Sequence, residues 1–418
     1  MKMRALVLAY LFSCTAAWAQ QGKIDSTEML TLRIDPQAAH GAAVSQIFSE
    51  VEFIPLETTK ESLFGNINHF KIIEDKYIIF DYDTKSILIF EKDGKYKTKI
   101  NANNMQPEKD DKNKTEFYSF FIEKENNTNY IVVFTGPRIF YFDLAGKLVK
   151  KIMEKDYPNR YSTRDLKFAD PNTIVRPDFL KKKGKDSTYY ELGIINKNKD
   201  SIGYFPYNTS RYDSDEFWGS GPRFYQSSPN EVFYLNYHSY DIFKVRPASV
   251  SLAYHIIFPA ANSLPNDFTT NPVYVKKRGE YLRNNPKVFY AISNTLLVGD
   301  NLYFKLHSYG WDRSMKKALI YNFKTSELTS VQDLEPDALS YFLPVTDANG
   351  DFYDFINRGF QLYENGYFYT NYSSLAMFTF KEQSEGKTTK YPPSLEAYFK
   401  TQNKKSNPVL IKLKPKQN

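Results

Sequence analysis

Cysteine is nearly absent from this 418-residue chain. Cys14 is the only one, so the chain can form no intramolecular disulfide and no cysteine-based metal site. Histidine is scarce as well: the five, at positions 40, 69, 238, 255 and 307, include no pair at the His-Glu-x-x-His spacing that sets two imidazoles on one helical face around zinc. The chain also lacks a P-loop, a dinucleotide-binding glycine fingerprint and a Gly-x-Ser-x-Gly elbow, and Gly219-Ser220-Gly221 is one residue too short for the last of these. No metal and no cofactor is expected, and no residue is assigned a catalytic role. Beyond residue 19 no run approaches the ~20 apolar residues of a membrane-spanning helix. Charge is not one-sided either, with 55 Lys and Arg against 48 Asp and Glu for a formal +7. The only tight basic run, Lys181-Lys182-Lys183, sits beside Gly184 and Asp186 and reads as a solvated turn. Without a basic stripe, nucleic acid is excluded as a partner.

What is present begins with a leader. Lys2 and Arg4 precede the apolar run Ala5 to Phe12, and Ala17-Trp18-Ala19 follows, which is the basic, apolar and small-residue layout of a secretory signal. Two processing routes compete. The Ala-x-Ala pattern places cleavage after Ala19, whereas Leu11-Phe12-Ser13-Cys14 resembles a lipobox that would lipidate Cys14, with Phe12 a poor fit to the small residue usual there. Both routes predict export to the periplasm or beyond, the second with a lipid anchor in the outer membrane.

Tyr and Phe supply 33 residues each and aromatics reach 17%, a composition suited to pleated, half-buried sheet surfaces. An internal repeat orders them. Ile87 to Lys95, continuing to Ile100, recurs 52 residues later as Ile139 to Lys147, continuing to Ile152. Each copy is an aromatic-rich strand, an acidic residue, a Gly-Lys turn and a second strand. Asp93-Gly94 is a favoured hairpin dipeptide, and Gly146 supplies the positive φ that tight turns require. Tyr77 to Phe80 and Tyr130 to Phe134 precede the hairpins, and Ile67 to Ile73 and Phe117 to Glu123 precede those, giving four strands per unit. Weaker hairpins are expected at 191–205, 240–258, 318–331 and 375–390. Six such units predict an all-β fold, a six-bladed β-propeller of four-stranded blades. Val51 to Leu56 and Val409 to Leu413 are expected to close the ring by meeting in one blade, leaving no open sheet edge there. The predicted organisation is a signal peptide over 1–19, an N-terminal leader over 20–47 and the propeller over 48–418. An insertion over 259–286 is expected to hold a helix near Lys276 to Arg283, and a second helix is expected over 394–401.

Phe53-Ile54-Pro55-Leu56-Glu57-Thr58, the Ile89-Phe90 to Gly94-Lys95 hairpin with its Gly146-Lys147 copy, and Asn407-Pro408-Val409-Leu410 together resemble the six-bladed β-propeller proteins that Gram-negative bacteria secrete or lipid-anchor. The resemblance covers nearly all of the chain past the signal. Its motifs are structural, so it implies fold and export far more than chemistry.

Candidate binding residues follow from where each second strand ends. His238-Ser239-Tyr240 and His307-Ser308-Tyr309 are the same tripeptide, each after the second strand of its unit. Asp81 and Asp83 hold comparable places in the first unit and Asn371 in the last, and the loop Gly310 to Arg313 adds Trp311 and Arg313. Gathered at one mouth of the channel, these groups would offer hydrogen bonds and flat stacking faces to a glycan or peptide. The competing reading keeps the tripeptide as a backbone corner. Trp218 with Arg223 has the same ambiguity between a buried and a binding role. Asp347-Ala348-Asn349-Gly350-Asp351 places oxygens at alternate positions like a calcium loop, but Phe352 and Arg358 stand where an EF-hand needs glycine and glutamate, so a hairpin turn at Asn349-Gly350 is expected instead. The leading functional expectation is a non-enzymatic binding or scaffolding propeller at the cell envelope, with a glycan, peptide or envelope protein as partner. The alternative is a glycan lyase or hydrolase in which His238, His307, Tyr309 and Arg313 act as acid, base and charge stabiliser.

Overall fold

Tyr77, Ile78, Ile79 and Phe80 are consecutive and all buried, which a strand can accommodate only when other layers cover both its faces. Alternation splits them. Ile78 and Phe80 pack with Phe120, Ile131, Val133 and Phe140 on one side, while Tyr77 and Ile79 pack with Ile54, Tyr369 and Leu410 on the other. The same division recurs around the molecule, giving six sheets in a ring, a six-bladed β-propeller whose core lies in the seams between blades. The computed structural model describes residues 20–101, 105, 117, 119–135, 138–157, 173–180, 189–196, 201–207, 224–228, 230–310, 312, 314–350, 352, 354–387 and 390–417.

The chain opens with β1 (Gln20–Gln21), β2 (Ile24–Asp25), β3 (Leu30–Arg33) and β4 (His40–Ala43), then α1 (Val44–Ile47) and β5 (Phe48–Pro55). Blade one is β6 (His69–Ile73), β7 (Lys76–Asp81), β8 (Ser86–Glu91) and β9 (Tyr96–Asn101); blade two is β10 (Phe120–Glu125), β11 (Thr128–Thr135), β12 (Arg138–Phe142) and β13 (Leu148–Met153). Blade three contains β14 (Thr173–Leu180), β15 (Tyr189–Asn196) and β16 (Ile202–Tyr207); blade four contains β17 (Phe224–Ser228), β18 (Glu231–Leu235), β19 (Asp241–Arg246) and β20 (Ser249–Ile257). A long connection carrying α2 (Arg278–Asn284) leads to blade five, β21 (Ala291–Val298), β22 (Asn301–His307), β23 (Ala318–Asn322) and β24 (Leu328–Glu335). Then come α3 (Asp354–Arg358), β25 (Leu362–Glu364), β26 (Tyr367–Tyr372), α4 (Ser374–Gln383), α5 (Pro393–Thr401) and β27 (Val409–Pro415).

Blade six closes the ring in the order β25, β26, β27, β5, with Leu410 opposite Ile54. Gly94 and Gly146 adopt φ of 84° and 78° at the repeated turns, which only glycine takes without strain. Before reaching blade six, the N-terminal segment runs as a strap along three sheet edges. β1 pairs in parallel with β16, β2 and β3 with β20, and β4 with β24.

The expected hairpin at 375–390 is corrected: Ser374 to Gln383 is helical. Ser373 accepts from the Ala376 amide as an N-cap, and Ala376, Met377 and Phe380 bury one face. The strand expected there is supplied by β27 from 409–415 instead. Asn349-Gly350 likewise forms a turn running into α3 and not a hairpin. Lys181-Lys182-Lys183 lies outside the described residues. Among the described residues no helix is long and apolar enough to cross a membrane.

Candidate functional site

Strand β22 sets the geometry of a polar seam. Tyr303, Lys305 and His307 alternate along it and share one face. Tyr303 packs 4.6 Å from the Phe368 ring of blade six, so the two residues beyond it also face the seam between blades five and six. Lys305 is 3% exposed and its amine donates to the Asn357 carbonyl at the end of α3. Gly359, at φ 66°, makes room for that side chain, since a Cβ there would lie 3.2 Å from Lys305 Cδ. Across the ladder, the Leu306 amide donates to the Lys317 carbonyl at 2.7 Å. The Lys317 amine, on a residue 7% exposed, donates to the Gly310 carbonyl at 2.6 Å. The two lysines, His307, Tyr290, Tyr309 and Asn357 line a cavity of about 250 Å³.

Burial governs the charges in this cavity. It holds the Lys305 amine down to about 7, helped by the neighbouring Lys317 and Arg358 cations. Lys317 is lowered by burial too, with Asp312 acting in the opposite direction. His307 is pushed down to about 3, first by burial and then by Lys305 and Lys317, so its ring is neutral at pH 7. Its Nε2 is 2.6 Å from Ser293 Oγ, which donates to Asn294 Oδ1 at 2.8 Å. Asn294 reaches the Phe360 carbonyl of blade six from a bulge in β21. Among the described residues, only main-chain carbonyls accept from the two lysine amines.

The sequence-predicted residues divide around this cavity. His307 and Tyr309 line it, with Tyr290 between the histidine and the tyrosine at ring separations of 6.0 and 5.5 Å. His238 does not. It sits at φ 59° in the turn after β18, its amide donates to the Tyr290 carbonyl at 2.9 Å, and its ring meets Phe268 edge-on at 5.2 Å. The two tripeptides are therefore not equivalent, because one histidine ends a strand and the other occupies a left-handed turn. The Tyr240 hydroxyl bridges Phe289 and Leu264, tying the 258–290 connection to blade four. Asp81 is fully buried and accepts from the Asn66 and Thr84 amides, and Asp83 lies 3.4 Å from the Asn66 side-chain amide. Asn371 is buried in β26 opposite Leu410. Trp311, Arg313, Trp218 and Arg223 lie outside the described residues.

Arg358 joins the first blade to the cavity wall. Its Nη1 donates to the Ile67 carbonyl at 2.6 Å, one residue before Asn68 and one after Asn66. Asp347 caps α3 by accepting from the Asp354 and Phe355 amides, and burial raises its carboxyl to about 6. Those oxygens are thus engaged by main-chain donors, and among the described residues no three His, Cys, Asp or Glu side chains gather as a metal site would require. Lys305 and Lys317 were not among the predicted site residues. For Lys305 the signal was a lysine inside the apolar strand Leu302-Tyr303-Phe304-Lys305-Leu306, a position that surface solvation does not explain; Lys317, beside Lys316, carried none.

A family described as a domain of unknown function, DUF4934, matches residues 31–414. A crystal structure of a candidate exported protein from Bacteroides fragilis NCTC 9343 shares 16% identity and a TM-score of 0.60, over 93% of this chain and 99% of that one. A DUF4221 family member from Bacteroides vulgatus is similar at 10% identity and a TM-score of 0.36, over 67% of this chain and 86% of that one. None of the curated proteins matches the chain.

Proposed function

We propose that this chain, which belongs to the DUF4934 family, is an exported, non-enzymatic binding propeller of the cell envelope whose ligand enters the seam between blades five and six. The observation that carries this reading is the cavity itself. It brings two buried lysines, the neutral His307 imidazole, the Tyr290 and Tyr309 rings and main-chain groups onto one open cavity, oriented polar groups beside flat ring faces of the kind that fix a ligand. The basic, apolar and Ala-x-Ala leader supports export.

The lyase or hydrolase alternative is less well supported. An imidazole held near 3 is a weak base at neutral pH, and His238 is engaged with Phe268 outside the cavity.

Two measurements test the reading. Mass spectrometry of the protein recovered from a Gram-negative envelope fraction should give a mature N-terminus at Gln20 or a lipidated Cys14. A thermal-shift screen of neutral and acidic sugars and peptides should give a shift with wild type that Tyr309→Ala reduces. Retention of the full leader in the cytoplasm, or shifts indifferent to Tyr309→Ala, would overturn it.

A further inference from the structure

Resting on the cavity reading above, we propose that the seam pocket is an anion site, in which Lys305 and Lys317 receive a carboxylate, sulfate or phosphate group borne by the ligand.

The argument starts from the cost of the arrangement. An ammonium removed from water needs a compensating charge or a full set of acceptors. Each amine has three donors, and the described residues supply one main-chain carbonyl to each. Among the described residues the groups acting on Lys305 are cationic or neutral: Lys317 from the approach to β23, Arg358 from α3, whose charge also acts on Asp354 of the same helix, and the neutral His307 from its own strand. Asp312 acts on Lys317, but it is exposed and accepts from both the Ser314 amide and hydroxyl. Arg358 is committed to blade one. Positive charge thus accumulates on one wall of an open cavity, with donors to spare. Lysines, as point charges on flexible stems, accept planar and tetrahedral oxyanions alike, while Tyr290 and Tyr309 offer ring faces to whatever carries the anion.

Protonation gives a signature that a purely structural lysine lacks. With its amine near 7, Lys305 must be charged to hold an anion, so binding takes up a proton and affinity falls as pH rises through and above 7.

Isothermal titration of wild type, Lys305→Met and Lys317→Met tests this at fixed ionic strength, with D-galacturonate, its neutral counterpart D-galactose, sodium sulfate and sodium phosphate as titrants. The expected result is that at least one anion binds wild type, that its affinity drops about tenfold or more between pH 6.5 and 8.5, and that either lysine variant loses a similar factor. Saturation by sulfate or phosphate alone would identify the oxyanion as sufficient. Binding by galacturonate alone would assign the remainder to the phenol faces. Galactose binding as tightly as galacturonate and surviving Lys305→Met would overturn the anion assignment and leave the pocket a ligand site. No heat from any anion at millimolar concentration would also overturn it, and the Tyr309→Ala screen would then judge the binding reading separately. Should Lys305→Met fold poorly, Lys317→Met and the wild-type pH profile carry the test.

Discussion

His307 and Lys305 sit two residues apart on one strand and are both bases whose protonated forms the fold disfavours. For His307 the folded value is about 3, against about 6.5 in an unfolded chain. Between those limits the unfolded chain binds a proton that the folded chain does not, so stability falls as pH is lowered from 6.5 towards 3. Asp347 works in the opposite direction: raised to about 6, it holds its proton better when folded and favours the acid side. The histidine is isolated by comparison with His307→Gln. Wild type should lose on the order of 2 kcal/mol more than the variant between pH 6.5 and pH 4.5, allowing for the ring's partial exposure, as read from urea midpoints. Parallel losses in the two proteins would show that the imidazole is not held neutral. At this scale the sequence was partly legible. The repeated tripeptide pointed to His307 and Tyr309, but a lysine's burial depends on which blade meets it, and nothing local to Lys305 or Lys317 encodes Asn357 or Gly359 as neighbours. His238 looked identical to His307 because a tripeptide carries no record of its φ angles.

Among the elements, the strap has the most particular requirements. It adds strands to finished sheet edges, and it does so where small residues allow the backbones to approach. A Cβ on Gly41 would run into the Asp333 carbonyl oxygen of β24, and one on Gly22 would run into the Tyr204 ring. The Lys316 amine then fixes the strap through the Ala39 carbonyl. Gly41→Val should lift β4 from β24 at a cost of about 1–3 kcal/mol while leaving β5 and β27 paired. Hydrogen exchange would read this as faster amides in 40–43 and 329–335 with unchanged protection across 409–414; uniform protection in both segments would mean that β24 yields to admit the side chain. The repeat hairpins were legible from Asp93-Gly94 and its Gly146 copy, because turn chemistry is local. The strap was not, since its two-residue and four-residue strands have too little pattern to distinguish them from a loop, and their partners lie in other blades. Helix α4 was misread for a related reason: Leu375-Ala376-Met377-Phe378-Thr379-Phe380 has a strand-like composition, and the decisive signal was the Ser373 cap.

On the scale of the whole molecule, the two parts of the N-terminal segment make different contributions. β27 is an interior strand of blade six, and Val409, Leu410, Ile411 and Leu413 are all fully buried. At about 1.5–3 kcal/mol each, those four side chains together match the ~5–15 kcal/mol net stability of an ordinary domain. Asn407 reinforces the closure by donating to the Glu57 and Ser62 carbonyls and accepting from the Phe64 amide, so both chain ends are stitched at one buried side chain. Closure therefore rests on β5 and β27, and the strap is not part of it. A chain beginning at Val44 should still fold, with a far-UV spectrum like that of the full chain and a ring closed by β5. It would, however, bare the edges of β16, β20 and β24, which β1 to β4 cover, and exposed edges of this kind pair with other chains. Light scattering after size exclusion should find such a chain associated at concentrations where the longer chain is monomeric, with a lower melting temperature. Removing residues 409–418 should instead abolish cooperative unfolding. If the chain from Val44 stays monomeric and melts with the full chain, the strap neither protects the edges nor stabilises the ring; if it fails to fold at all, β1 to β4 are as much a part of closure as β5.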